Sequence, residues 1–73
     1  MYNTSYLISK RKALNLSQEQ VAQLINMDQG NYSKLEAGLY SHISLNTLTS
    51  LHKVLHIDLY YFLNIIDSEG GEK

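Results

Sequence analysis

The residues best suited to chemistry in this sequence are polar hydrogen-bonding groups clustered between positions 28 and 34. Gln29, Asn31 and Ser33 carry neutral donors and acceptors, and Lys34 adds one cation. An amide can bond adenine through two hydrogen bonds, and a lysine can donate to guanine. A helix that exposes these side chains on its outer face is therefore suited to reading the edges of nucleic-acid bases.

Catalytic and metal-binding patterns are not found in the sequence. It has no nucleophile with a base and an orienting group, no glycine-rich phosphate loop and no paired carboxylates on one helix face. His52 and His56 are four residues apart and could face one metal ion, but the chain has no Cys and no acidic cluster near them. We expect two solvated or capping histidines, no metal, no cofactor, no small-molecule ligand and no enzyme activity.

Two short helices joined by a tight turn are predicted to position the polar group. Their start and stop signals are, in chain order, Ser17, Asn26, Asp28 and Gly38. Ser17 and Gln20 have the spacing of a capping box, which predicts a helix from about Gln18 to Ile25. Asp28 can cap the second helix, and its charge suits the positive end of the helix dipole. Asn26 and Gly38 tolerate the left-handed backbone that sharp turns need.

Apolar residues recur in this stretch at the spacing of a known motif. They are Val21, Ile25, Met27, Tyr32 and Leu35, with the small Ala22 where the two helices must approach closely. The pattern resembles the helix-turn-helix of the phage-repressor (Cro-like, Xre-type) family of transcription regulators, over roughly residues 7 to 64. The resemblance implies an all-α, compact five-helix bundle of the lambda-repressor-like DNA-binding type, with the helix-turn-helix at helices 2 and 3.

Three further helices complete the predicted domain, which spans residues 1–66. Thr4 or Ser5 is expected to cap a first helix that ends near Leu14. Ser44 is expected to cap a fourth helix at about Leu45–Leu55, and Asp58 a fifth at about Leu59–Ile65. Residues 67–73 are acidic, carry two glycines and are expected to be a disordered tail.

The resemblance also implies site residues in the recognition helix, about Gln29–Ala37, which would lie in the major groove of DNA. Base contacts are expected from Asp28, Gln29, Asn31, Ser33 and Lys34. Phosphate contacts are expected from Ser17, Gln18, Tyr40 and Ser41. Gln18 would use both its side chain and its backbone N–H at the helix N-terminus.

A structural ion pair is the expected role of Arg11 and Glu36. In repressors of this type, an Arg on the first helix pairs with the Glu that follows the recognition helix. The alternative is that Arg11 is a solvated cation or a phosphate contact.

Electrostatic attraction to DNA is predicted to be weak. Six basic and seven acidic residues give a net charge of −1, and residues 1–66 alone carry about +1. Non-specific DNA affinity comes from cations that neutralise phosphates, so we expect a homodimer or a larger assembly. Its interface is predicted around Tyr60, Tyr61 and Ile65, because the fifth helix is apolar almost all round. The alternative is that these residues only cover a small core.

Two functions from different classes remain open. The first is sequence-specific binding of double-stranded DNA by a small transcriptional regulator, expected to be a repressor. The second is a protein-interaction module that keeps the fold without binding DNA; it is favoured by the near-neutral charge and by a loop at 39–43 with no Lys or Arg. The sequence has no membrane-spanning apolar run and no basic-then-apolar leader, so we expect no membrane association and a cytoplasmic protein.

Overall fold

The computed structural model describes residues 2–64, which form five α-helices and no strand over that range. The helices are α1 (Thr4–Ala13), α2 (Gln18–Leu24), α3 (Gln29–Glu36), α4 (Leu45–Leu55) and α5 (Leu59–Phe62). The all-α, five-helix architecture expected from the sequence is confirmed. Within the described range, no helix combines the length and the apolar character needed to cross a membrane.

Each helix begins at a side chain that accepts a hydrogen bond from the first turn. The five caps are Asn3, Ser17, Asp28, Ser44 and Asp58. The capping box is present, since Ser17 Oγ accepts from Gln20 N at 3.0 Å and Gln20 Oε1 accepts from Ser17 N at 2.8 Å. The prediction of Thr4 or Ser5 as the first cap is wrong. Asn3 Oδ1 accepts the Tyr6 N–H at 3.3 Å, so the helix starts at Thr4.

Left-handed residues end the helices where the chain must turn. Asn26 has a φ of 58° and Gly38 a φ of 79°, as the turn signals at these positions predicted. Between α2 and α3, the Met27 N–H donates to the Ala22 carbonyl at 2.8 Å. This bond holds the two helices of the motif in a tight turn.

One apolar core joins all five helices. Its buried members are Leu7, Val21, Ala22, Ile25, Tyr32, Leu35, Leu51, Leu55, Ile57 and Phe62. The apolar positions that define the motif are among them, except Met27, which is half-buried against the core. Burying a side chain of this size contributes roughly 1.5–3 kcal/mol, so the core fixes the orientation of α3 against α1 and α2.

The fifth helix is shorter than predicted. It ends at Phe62, Leu63 is its C-cap and Asn64 has a φ of 60°. The expected extension to Ile65 is wrong, because a left-handed residue at Asn64 cannot continue an α-helix. Ile65 itself, and the tail predicted at 67–73, lie outside the described residues.

The N-terminal segment is fastened to α5. Asn3 N donates to the Phe62 carbonyl at 2.7 Å, and the Tyr2 ring stacks on the Phe62 ring with centroids 5.5 Å apart. Tyr6 packs edge-on against Tyr61 at 4.7 Å. These contacts of Tyr2 and Tyr6 have no signal in the sequence, because no local pattern shows what a side chain will meet almost sixty residues further along the chain.

Candidate nucleic-acid interface

The outer face of α3 presents the polar group identified in the sequence. Gln29, Asn31 and Lys34 are exposed and Ser33 is half-buried. Tyr32, Leu35 and Glu36 are buried and occupy the opposite side. Gln29 and Ser33 are one helical turn apart, so their side chains lie on the same side of the helix. The structure therefore brings together the residues predicted to contact bases.

Glycine at position 30 makes room for the cap of this helix. Asp28 Oδ2 accepts the Asn31 N–H at 3.3 Å. A Cβ at Gly30 would lie 3.0 Å from the same oxygen, so a larger residue would require the carboxylate to shift by a few tenths of an ångström. Asp28, an expected base contact, is exposed but has one carboxylate oxygen engaged in capping.

An ion pair ties α1 to the end of α3. Arg11 Nε lies 2.6 Å from Glu36 Oε2, and Arg11 Nη2 lies 3.2 Å from Glu36 Oε1. The two side chains are only 11% and 4% exposed. Arg11 Nη1 also donates to the Leu16 carbonyl at 2.9 Å. The pair expected from the resemblance is present, and Arg11 is not a solvated cation.

The ion pair also shifts the pKa values of its own two side chains and of Tyr32. Burial by itself would raise the pKa of Glu36. Hydrogen bonds from Arg11 and Gln18 lower this pKa by a larger amount, so it lies below its usual value. The hydrogen bond to Glu36 raises the pKa of Arg11. Burial, together with the Glu36 charge, raises the pKa of the Tyr32 hydroxyl. At neutral pH the domain therefore contains a charged pair beside a neutral tyrosine.

Gln18 has a partner that sequence reasoning missed. Its Nε2 donates to Glu36 Oε1 at 2.9 Å, which places the side chain at the start of α2 and joins it to the ion pair. A primary amide has two N–H donors, so one bond to Glu36 leaves a donor for a phosphate. Ser17 Oγ, the other phosphate contact expected at this end of α2, accepts the Gln20 N–H of the capping box.

The loop after α3 carries the other two expected phosphate contacts. Tyr40 is half-buried against the core and Ser41 is exposed. The Tyr2 hydroxyl reaches this loop: it accepts the Ile43 N–H at 3.1 Å and lies 3.4 Å from the Ser41 carbonyl. Tyr2, which is half-buried, thus supports a loop about forty residues further along the chain. The sequence contains no local signal for this contact.

An apolar groove lies between α4 and α5, on the part of the chain predicted to form a dimer. Its volume is about 470 Å³, and its lining includes Leu45, Leu48, Leu59, Tyr60 and Leu63. Leu45 is 73% exposed, Tyr60 65% and Tyr61 48%. The two tyrosines are the interface residues that the sequence predicts, and the structure adds Leu45 as an exposed apolar side chain of the groove.

His52 and His56, the two histidines that could face one metal ion, lie in different surroundings. His52 Nδ1 hydrogen-bonds the Ile57 carbonyl at 2.8 Å. His56 is the left-handed C-cap of α4, with a φ of 57°. Over residues 2–64, no three His, Cys, Asp or Glu residues lie close enough to hold a metal ion.

Comparisons with known proteins agree with this geometry. A family model described as helix-turn-helix matches residues 7–62. Among solved structures, a chain of the SinR protein/SinI protein complex is similar, with a TM-score of 0.75 and 19% sequence identity. The match covers 94% of this chain and 66% of that one, just under two thirds of its length, and at this identity it shows the fold alone. No curated protein matches the chain.

Proposed function

Because this chain belongs to the Xre/Cro-like helix-turn-helix family of DNA-binding regulators, we propose that it is a transcriptional repressor that binds double-stranded DNA sequence-specifically. The observation that carries the proposal is the polar, exposed face of α3. In a helix-turn-helix, the second helix enters the major groove and the N-terminus of the first meets the backbone. Here those elements are α3 and α2.

Base recognition is assigned to the exposed face of α3. The residues are Asp28, Gln29, Asn31, Ser33 and Lys34. Gln29 is suited to an adenine and Lys34 to a guanine. Asp28 is a secondary contact, since one of its oxygens caps the helix.

Backbone contacts are assigned to α2 and to the loop after α3. The residues are Ser17, Gln18, Tyr40 and Ser41. Gln18 is the best supported, because its bond to Glu36 orders the side chain before DNA arrives. A preordered group loses less conformational entropy on binding.

Selection of bound sequences from a randomised DNA pool tests this function. We expect enrichment of one short half-site, repeated with two-fold symmetry if the protein binds as a dimer. A gel shift should then show tight binding at ~50 mM salt and a steep loss of affinity as salt rises. No enrichment, and no shift at low salt, would contradict the proposal.

A protein-interaction module is the second candidate, favoured by the absence of Lys and Arg from residues 39–43. The similar SinR protein is named in a complex with another protein. This function requires a folded protein that selects no DNA, so the selection experiment separates the two candidates.

We further propose that the DNA-binding form is a homodimer through the groove between α4 and α5. Tyr60 and Leu45 are the most exposed of its apolar side chains, and tyrosines are enriched in interface cores. Two copies also double the number of cations facing the DNA, which offsets the low charge of one chain. Tyr61 contributes less, because its ring is engaged with Tyr6.

Tyr60→Glu is expected to weaken the dimer roughly tenfold or more, since it places a charge in an apolar interface. The position is 65% exposed and in the first turn of α5, where an acid suits the helix dipole, so the fold should persist. Sedimentation at several protein concentrations measures the effect. Leu24→Glu is the matched control, on a 59% exposed leucine outside the groove. Equal dimer stability in wild type and Tyr60→Glu would assign the interface to another surface.

A further inference from the structure

We propose that Tyr2 is a positioning residue for DNA-backbone binding: its hydroxyl holds the loop at residues 39–43 in the conformation that contacts a phosphate. This inference rests on the proposed function. It deepens that function by assigning the loop contact to a residue outside the helix-turn-helix itself.

The contacts of Tyr2 hold it in one place. Its ring stacks on Phe62 with centroids 5.5 Å apart and planes inclined by 15°. The next residue, Asn3, donates its backbone N–H to the Phe62 carbonyl at 2.7 Å. Rotating the ring away from α5 would break the stacking contact, and the backbone bond keeps Tyr2 beside Phe62, so the hydroxyl is held in place.

The hydroxyl meets the loop in both hydrogen-bonding directions. It accepts the Ile43 N–H at 3.1 Å and donates toward the Ser41 carbonyl at 3.4 Å. Within the described residues, the neighbouring N–H groups of Tyr40, Ser41 and His42 donate to no protein acceptor. Tyr2 thus accepts the N–H of Ile43 at the end of the loop. The N–H groups of the three preceding residues remain available to another acceptor.

A phosphate is the partner that the surroundings favour. The loop contains no Lys or Arg, and the Nδ1 of its one histidine, His42, already hydrogen-bonds the Ser41 carbonyl at 3.0 Å. Its contact with DNA is therefore expected to come mainly from neutral donors, and backbone N–H groups are common phosphate contacts. Neutral donors are effective only when they are held in position, because ordering a loop during binding costs conformational entropy. The support from Tyr2, which packs against Phe62 of α5, meets this need.

Tyr2 lies outside the part of the chain that the family model matches. The family match begins at residue 7, so Tyr2 precedes it. The loop that Tyr2 supports lies inside the match. The support and the supported segment therefore come from different parts of the sequence.

Tyr2→Phe tests the inference, because it removes the hydroxyl and keeps the ring stacked on Phe62. Tyr6→Phe is the matched control: the Tyr6 hydroxyl also accepts one backbone N–H, from Asp58 at 2.8 Å, but at the start of α5 instead of the loop. Both variants are compared with wild type on the selected DNA, below their melting temperatures. We expect Tyr2→Phe to bind roughly three- to tenfold more weakly, the size of one lost hydrogen bond, and Tyr6→Phe to bind like wild type at saturating dimer concentration.

A phosphate scan separates positioning from a general structural effect. Single phosphates of the selected site are replaced by uncharged methylphosphonates, and the affinity penalty is measured at each position. Tyr2→Phe should reduce the penalty at one phosphate and its symmetry mate, leaving the other penalties unchanged. Unchanged penalties everywhere, or a uniform reduction at all phosphates, would overturn the role of Tyr2 while DNA binding stands. Failure of the wild type to select any DNA would instead overturn the proposed function, and the inference with it.

Discussion

Arg11→Ala is expected to destabilise the domain by about 3–5 kcal/mol, because it leaves the Glu36 carboxylate buried without its cation. Glu36 would keep only the amide of Gln18 as a strong donor. For a domain of this size, such a loss lowers the melting temperature by roughly 12 °C or more. Thermal unfolding followed by circular dichroism measures the change. Lys12→Ala, which removes an exposed cation from the same helix, should leave the melting temperature nearly unchanged.

The pH dependence of the stability lost in Arg11→Ala shows whether the charge of Arg11 is responsible. The folded pKa of Glu36 is lowered, so its stabilising contribution is present above the unfolded pKa of about 4.3 and is lost as pH falls through the folded pKa. Arg11→Ala removes the strongest influence that lowers the pKa of Glu36 and leaves the burial that raises it, so the pKa of Glu36 should be higher than in the wild type. The difference in unfolding free energy between the two proteins should therefore be largest near neutral pH and narrow in acid. A difference that stays constant with pH would mean that Arg11 acts through packing alone.

Gln29→Ala and Lys34→Ala are each expected to cost about 1–3 kcal/mol of DNA binding, or roughly 5- to 150-fold in affinity. Both side chains are exposed, and alanine is a better helix former than either residue, so the folded domain should be preserved. Gln29→Ala should relax the preference at one base pair of the selected site. Lys34→Ala should do the same at another base pair if it reads guanine, or weaken all sequences equally if it meets a phosphate.

Matched exposed residues on other helices provide the controls for these two variants. Gln23→Ala removes an amide from α2, and Lys53→Ala removes a cation from the last turn of α4. Affinity and base preference are measured by titration against the selected site and its single-base variants. If Gln29→Ala and Lys34→Ala bind like these controls, the recognition surface does not lie on α3.

Local signals explain which parts of the fold were predictable. Ser17, Asp28 and Asp58 each cap a helix through residues two or three positions away, so their neighbours in sequence suffice to identify them. The first cap was missed because Asn3, Thr4 and Ser5 are consecutive and all of them are good caps. Asn3 differs from the other two in that its backbone N–H also donates to the Phe62 carbonyl, a contact far along the chain.

The site was predictable to the extent that it follows helical spacing. The exposed face of α3 follows from the period of the helix and its start at Asp28. The bond from Gln18 to Glu36 and the support of the loop by Tyr2 join residues far apart in the chain. Such contacts depend on how the helices pack, which no local pattern contains.

The bond between Asn3 and Phe62 has a consequence for protein engineering. It brings the two ends of the described domain together on one side of the bundle. Domains with adjacent ends tolerate circular permutation and insertion, so a short linker is expected to join these ends.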